Sequence, residues 1–167
     1  MSPRIELLSA RHRRDGFDCG EPALNEFLKR YARQQAERDF SRTYVAVADD
    51  GAGILGFHAI STGAIDFKNW PVGLRLPRYP VPVARIGRLA VDVRAQGNGV
   101  GATLLDHALR LSAAMAGQVG LHAVVVDAKH AKAAAFYARY GFQPFHDGDT
   151  GMFLMMSVIR RLLDIES

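Results

Sequence analysis

Three glycines crowd five positions of this chain: Gly97, Gly99 and Gly101, in the stretch RAQGNGVGATLL. Upstream lies ARIGRLAVDV, an apolar run of strand character. Downstream, Leu104, Leu105, Ala108, Leu111 and Met115 recur at helical spacing. Glycine is the poorest helix former after proline, so three of them at the mouth of a helix need a reason. A helix N-terminus presents unpaired N–H groups and a partial positive charge, which together make an anion site. Glycines let the backbone close on a phosphate and tolerate the positive φ of such loops. The junction reads as strand, phosphate-cradling loop, helix, with a flexible turn as the alternative. Its G-x-G-x-G spacing departs from the dinucleotide fingerprint, and no G-K-[ST] follows.

The rest of the pattern is built around that junction. Ile5 to Leu8 predicts a strand. FDCGEPALNEFLKRYARQQA predicts a helix with Pro22 in its first turn and Leu24, Phe27, Leu28 and Tyr31 at helical spacing. TYVAVAD and GILGFHAISTGAI predict a hairpin through Asp49 to Gly53. From Asp66 to Pro82 the connection carries Pro71, Pro77, Pro80 and Pro82, which excludes a regular helix or a central strand. LHAVVVDA predicts a strand buried on both faces, and KHAKAAAFYARYGF a helix with Gly141 as its C-cap. MFLMMSVI predicts a final strand. The order β-α-β-β-β-α-β-α-β implies an α/β (α+β) class: one domain over residues 1–167, a mixed central sheet flanked by helices.

Composition narrows the partners. The 167 residues hold 17 arginines and 4 lysines, and the net charge is +4. From Phe67 to Leu105, Lys68, Arg75, Arg78, Arg85, Arg88 and Arg94 face Asp92 alone, a local net charge of +5. Arginine suits bidentate phosphate recognition, so the segment reads as a polyanion surface or as a solvated face. No apolar run spans a bilayer, and MSPRIELLSARHRR lacks a signal-peptide core. The single cysteine, Cys19, excludes an intrachain disulfide and fits the reducing cytoplasm. It reads as a small residue in the turn before a helix rather than as a nucleophile. His107, His122 and His130 show no ligand spacing, so no metal is expected.

Two motifs carry a family resemblance. Gln96-Gly97-Asn98-Gly99-Val100-Gly101 resembles Q/R-x-x-G-x-G/A, the acetyl-CoA pyrophosphate loop of the GNAT superfamily of N-acetyltransferases. Phe136-Tyr137-x-x-x-Gly141-Phe142 resembles that family's F-Y-x-x-x-G-F. The resemblance implies a GNAT fold in which splayed strands hold acetyl-CoA. It implies cofactor contacts from Leu89, Ala90, Val91 and Val93, from residues 96–101 and from Phe136, with Tyr137 near the thioester sulfur. FDCGEPALNEFL, RTYVAVAD, PRYPVPVARIGRLAVDVRAQGNGVG and FLMMSVIRRLL together resemble the GNAT-type toxins of bacterial toxin–antitoxin pairs. Those toxins acetylate the α-amine of aminoacyl-tRNA and stop translation. The implied partners are aminoacyl-tRNA, a ribbon-helix-helix antitoxin and a second copy in a homodimer. On this reading Arg75, Arg78, Arg85 and Arg88 contact tRNA phosphates.

The chemistry asked of the site is acyl transfer. A phenol at Tyr137 can protonate the departing thiolate, Tyr140 being the competing residue on the same helix face. A backbone N–H of Leu89 or Ala90 can polarise the acetyl carbonyl. The strands GILGFHAISTGAI and ARIGRLAVDV carry no Glu to act as base. Asp92 lies in the strand and His58 could face either way; His58 as base is set against a packed or exposed strand histidine. A free α-amine titrates near 7.7–8.0, against about 10.4 for lysine, so an α-amine acceptor can do without a base. Two other readings stand beside this one. A small-amine or antibiotic acetyltransferase would share the cofactor loop. A binding module would use the first helix and the tail near Arg160 and Arg161 to dock a partner.

Overall fold

Short-range alternation and turn chemistry produce most of the elements that the sequence suggests. A computed structural model describes residues 2–146 and 149–164. The strands are β1 Ile5–Leu7, β2 Arg42–Val47, β3 Ile54–Ile65, β4 Val81–Val91, β5 Ala123–Asp127, β6 Gln143–Pro144 and β7 Gly151–Met155. The helices are α1 Pro22–Glu26, α2 Ala32–Glu37, α3 Val100–Ala116, α4 Ala131–Ala138 and α5 Met156–Leu162. The strands hydrogen-bond in the order β1-β2-β3-β4-β5-β7-β6. β1/β2, β2/β3, β5/β7 and β6/β7 are antiparallel, and β4/β5 is parallel. The parallel register runs from Val83 opposite Ala123 to Ile86 opposite Val126, and β4 itself continues to Val91. The mixed sheet is therefore as expected.

The chain forms two compact units, Met1–Ser61 with Gly87–Ala108, and Thr62–Ile86 with Leu109–Ser167. The first is centred on Phe57, which meets Phe17 edge-on at 5.6 Å and stacks with Phe27 at 6.0 Å. Leu28, Val45, Ala59 and Ala90 complete that cluster. A second cluster beneath the helix α3 start joins Ala46, Ala95, Val100 and Leu104, with Leu89 and Val91 packed against it. Alternation along β4 thus sends Ala90 to one face and Leu89 and Val91 to the other.

The second unit is built on Trp70, which lies within the proline-rich connection. Its ring meets Phe145 at 4.9 Å and Phe153 at 5.0 Å, and its indole N–H donates to the Ile65 carbonyl at 3.5 Å. Val81, Val83, Ala123 and Val125 pack on it. Residues Ala123 to Val126 of β5 are all buried, as a strand covered on both faces requires.

Several local readings are corrected. The stretch Pro22–Glu37 is not one α-helix: a π-helical turn, Phe27–Tyr31, separates α1 from α2. Pro82 lies inside the central strand β4, where it is tolerated as the second residue and still accepts His122 N–H at 2.8 Å. MFLMMSVI is not one strand, because the chain turns helical at Met156. Met156 and Ile159, three apart, bury one face of α5. The two-residue strand β6 is too short to leave a periodic signal. Gly141 is not the C-cap of α4: Arg139 is, and Gly141, at φ +96°, makes the left-handed turn two residues beyond it.

Candidate functional site

The glycine loop belongs wholly to the first unit, and side chains hold it from below. Asp92, 1% exposed, sits just past the end of β4. Its carboxylate takes Arg94 Nε at 2.9 Å and Nη2 at 3.0 Å, and accepts the N–H groups of Arg94 and Asp18. The Arg94 guanidinium holds the Asp92 carboxyl down to about 2, despite burial. The backbone is tied as well: Asp92 N–H donates to Leu55 O and Val93 N–H to Asp18 O, both at 2.8 Å. Gln96 donates its side-chain amide to Val91 O at 3.0 Å and to Cys19 O at 3.3 Å. That amide braces the loop against the strand.

Above this brace, residues Gln96 to Gly99 are exposed. Gly97 and Gly99 both adopt φ +83°, and a Cβ at either would meet nothing within 4 Å. The left-handed conformation, not crowding, is what demands glycine there. Val100 is buried and starts α3, while Thr103 closes its first turn onto Gly99 O through both N–H and hydroxyl at 3.1 Å. The result is an open rim of backbone at the N-terminus of a 17-residue helix, the arrangement that receives a phosphate. Gly56 lies beneath: a Cβ there would come 2.8 Å from Ala90 O and 2.9 Å from Leu104 Cδ1. It lets β4 and α3 approach, a role that only its tertiary neighbours reveal.

In the second unit, helix α4 carries the aromatic motif. His130 caps it, its ring nitrogen accepting Ala133 N–H at 3.2 Å. Tyr137 is 7% exposed, with Phe136 and Phe142 at 5.2 and 5.4 Å. Burial pushes its phenol up to about 12, so it keeps its proton at neutral pH and can serve as a donor. Tyr140, half-buried, packs on Phe136 at 5.4 Å.

The four arginines divide between the units. Arg75 and Arg78 are exposed on the proline-rich connection, and Arg85 is exposed on β4 beside Gly63. All three belong to the second unit. Arg88 belongs to the first, half-buried, with its guanidinium carbon 3.9 Å from the centre of the Phe27 ring. Phe27 was legible only as a helical core position, since a π turn has no sequence signature.

His58 is a core residue. It is fully buried, its Nε2 lies 2.9 Å from His107 Nδ1, and Tyr44 stacks on it at 5.3 Å. Burial first, and the neighbouring His107 second, draw its imidazole down to about 3. Such a group cannot take a proton from an amine near neutrality. Burial also pushes the Cys19 thiol up, which keeps it protonated and unreactive. Among the described residues, no three His, Cys, Asp or Glu side chains cluster as metal ligands.

Known proteins resemble this chain along most of its length. Residues 40–144 match the acetyltransferase (GNAT) domain. The probable toxin TacT of Sinorhizobium fredii (strain NBRC 101917 / NGR234) is 33% identical over 163 residues, covering 92% of this chain and 90% of its own. The tRNA-acetylating toxin of Mycobacterium tuberculosis (strain ATCC 25618 / H37Rv) is 34% identical over 149 residues, 88% of each chain. Among solved structures, AtaT complexed with acetyl-methionyl-tRNAfMet superposes with a TM-score of 0.88 at 30% identity, over 96% of this chain and 98% of that one. AtaTR bound with acetyl-CoA gives 0.85 at 30% identity, over 97% and 98%. A tyrosine-to-phenylalanine mutant of AtaT bound to the C-terminus of the antitoxin AtaR gives 0.83 at 28% identity, over 100% of both chains.

Proposed function

This chain belongs to the GNAT acetyltransferase family, and from that premise we propose that it is a toxin that acetylates the α-amino group of aminoacyl-tRNA and so blocks translation. The observation that carries this reading is the likeness, over nearly the whole chain, to AtaT captured with acetyl-methionyl-tRNAfMet. Methionine has one amine, so that product is an α-amide. The +5 segment between Phe67 and Leu105 supports a polyanionic acceptor.

Acetyl-CoA supplies the acetyl thioester. The residues present fit it: Gly97 and Gly99 leave an open backbone rim at the N-terminus of α3. Gln96, Gly97, Asn98, Gly99, Val100 and Gly101 would hold the pyrophosphate. Leu89, Ala90, Val91 and Val93 would line the pantetheine arm, with Phe136 also in contact. A backbone N–H of Leu89 or Ala90 would draw charge from the carbonyl oxygen. Tyr137 would give its proton to the departing sulfur. The acceptor α-amine, with a pKa near 7.7–8.0, is partly neutral at cytoplasmic pH, so no residue need deprotonate it before attack, and the proton that its nitrogen sheds after attack passes to water or reloads Tyr137. Arg75, Arg78, Arg85 and Arg88 would contact acceptor phosphates.

The same reading places the protein in the cytoplasm as one acetyltransferase domain. It pairs the chain with a ribbon-helix-helix antitoxin and with a second copy in a homodimer. The likeness to AtaT bound to the C-terminus of AtaR supports the antitoxin. The test uses purified protein, labelled acetyl-CoA and total charged tRNA, with deacylated tRNA as control. Label entering only the charged pool is the expected result. Label in neither pool, with acetyl-CoA still bound, overturns the reading in favour of small amines.

A further inference from the structure

Arg88 is set apart in its unit by lying over a buried ring. Arg4 and Arg11 pair with Glu6, Arg13 with Asp50, Arg30 with Glu26, Arg42 with Asp39 and Arg94 with Asp92, and among the described residues Arg14, Arg33 and Arg38 share with Arg88 the lack of a carboxylate partner, but Arg38 lies over the exposed Phe40. No carboxylate among the described residues answers Arg88, and burial is the one influence acting on its charge. The guanidinium carbon lies over the Phe27 ring, 3.9 Å from its centroid. Phe27 is itself 2% exposed and backed by Phe57, with ring planes 21° apart, so the plate beneath the guanidinium is rigid. Phe27 also opens the π-helical turn Phe27–Tyr31, and such turns are frequent at functional sites.

This geometry has a chemical consequence. Stacking covers one face of a guanidinium and leaves its in-plane N–H donors free to fork onto two oxygens. A partly desolvated cation without a counter-charge is costly, and an anion from outside relieves that cost while gaining charge-assisted hydrogen bonds. Arg88 immediately precedes Leu89 and Ala90, the positions proposed above to hold the acetyl group, so only about 3–7 Å of strand separates them. In a charged tRNA the phosphate nearest the α-amine is the one 5′ to the terminal nucleoside.

We infer that the Arg88–Phe27 pair receives that terminal phosphodiester and thereby selects acceptors whose amine is carried on a nucleotide. This inference rests on the aminoacyl-tRNA reading. Arg88 is then a specificity-determining residue. A polyamine or an aminoacyl nucleoside offers no anion for it to hold.

The test compares two acceptors of the wild-type protein, Arg88→Ala and Arg88→Lys. One is the charged tRNA that the wild type labels, and the other is the matching aminoacyl-adenosine, which has no phosphate. The readout is the ratio of the two kcat/KM values. Arg88→Ala is expected to lower that ratio by about tenfold or more. Its salt slope on tRNA should shrink by about 0.7, as for one lost contact to a single strand. Arg88→Lys keeps the charge but loses the fork and the stack, and should recover part of the ratio. Thermal unfolding and acetyl-CoA binding of each variant report on folding. A ratio unchanged in both variants, whether or not the two rates fall in parallel, overturns the inference and leaves the tRNA reading standing. A wild type that labels no charged tRNA overturns both.

Discussion

The phenol of Tyr137 and the carboxylate of Asp92 are displaced from their ordinary pKa in opposite directions, and each displacement predicts a pH dependence. Burial pushes Tyr137 up to about 12, so the proton donor remains loaded throughout the usual assay range. The kcat/KM profile is then expected to rise through the acceptor amine's pKa, near 7.7–8.0, and to stay flat to pH 10. An alkaline fall below pH 10 would remove Tyr137 as the donor. Tyr137→Phe should keep acetyl-CoA affinity and lower kcat by about 10²–10⁴-fold, the range for a lost general acid. Tyr140→Phe, whose ring packs on Phe136, should stay near wild type. Asp92 works the other way. Arg94 holds its carboxyl down to about 2, so its charge stabilises the fold fully above its unfolded pKa of about 3.9. That contribution is lost as pH falls from there toward 2. Asp92→Asn should therefore lower Tm at pH 7, by an amount equivalent to about 2 kcal/mol. The gap from wild type should close as melting is measured nearer pH 2. A gap that persists at low pH would mean that packing, not the ion pair, sets the effect.

At the scale of elements, the glycine loop depends on how closely α3 sits on β4, and Gly56 sets that approach. A methyl group at position 56 would meet a backbone oxygen, Ala90 O, at 2.8 Å. A backbone atom cannot rotate away as a side chain can. Gly56→Ala should cost about 1–3 kcal/mol, the range for overpacking a core. It should also weaken acetyl-CoA binding, because Ala90 and Val100 flank the loop. Calorimetric titration with acetyl-CoA at a temperature where the variant is folded separates the two effects, and unchanged affinity would uncouple Gly56 from the loop. The loop itself was legible: Gly97 and Gly99 announce positive φ in any context. Gly56 was not, because its reason lies in Ala90 of β4 and Leu104 of α3, both far along the chain. The same division recurs elsewhere. Helix α3 and strand β5 follow their periodicities. The π turn under Arg88, the Trp70 anchor of the proline-rich connection and the switch from β7 to α5 at Met156 are set by tertiary packing. The arginines were legible as a basic stretch, but not that Arg94 is tied to Asp92 while Arg88 lies over a buried ring. Those distinctions need the positions of Asp92 and Phe27.

For the whole molecule, the question is what a net charge of +4 does when six basic residues gather between Phe67 and Leu105. Among the described residues no helix is long and apolar enough to cross a membrane. Arg75 and Arg78 stand exposed on the proline-rich connection, yet Trp70 and Leu76 bind that connection to the core of its unit. Charges on an anchored loop lose less freedom when they meet a phosphate than charges on a loose one. Each phosphate they neutralise releases counterions from the nucleic acid. Removing both should therefore change the salt dependence of tRNA use, not only its strength at one ionic condition. For Arg75→Ala with Arg78→Ala, the slope of log(kcat/KM) for charged tRNA against log[salt] should flatten by about 1.4–1.8, for contacts to single or double strands. The Kd for acetyl-CoA serves as the control, since neither arginine belongs to the glycine loop. A parallel loss of tRNA use at every salt concentration, with the slope preserved, would mean that these two side chains shape the connection rather than meet the phosphates. The polyanion surface would then have to be sought among the remaining arginines.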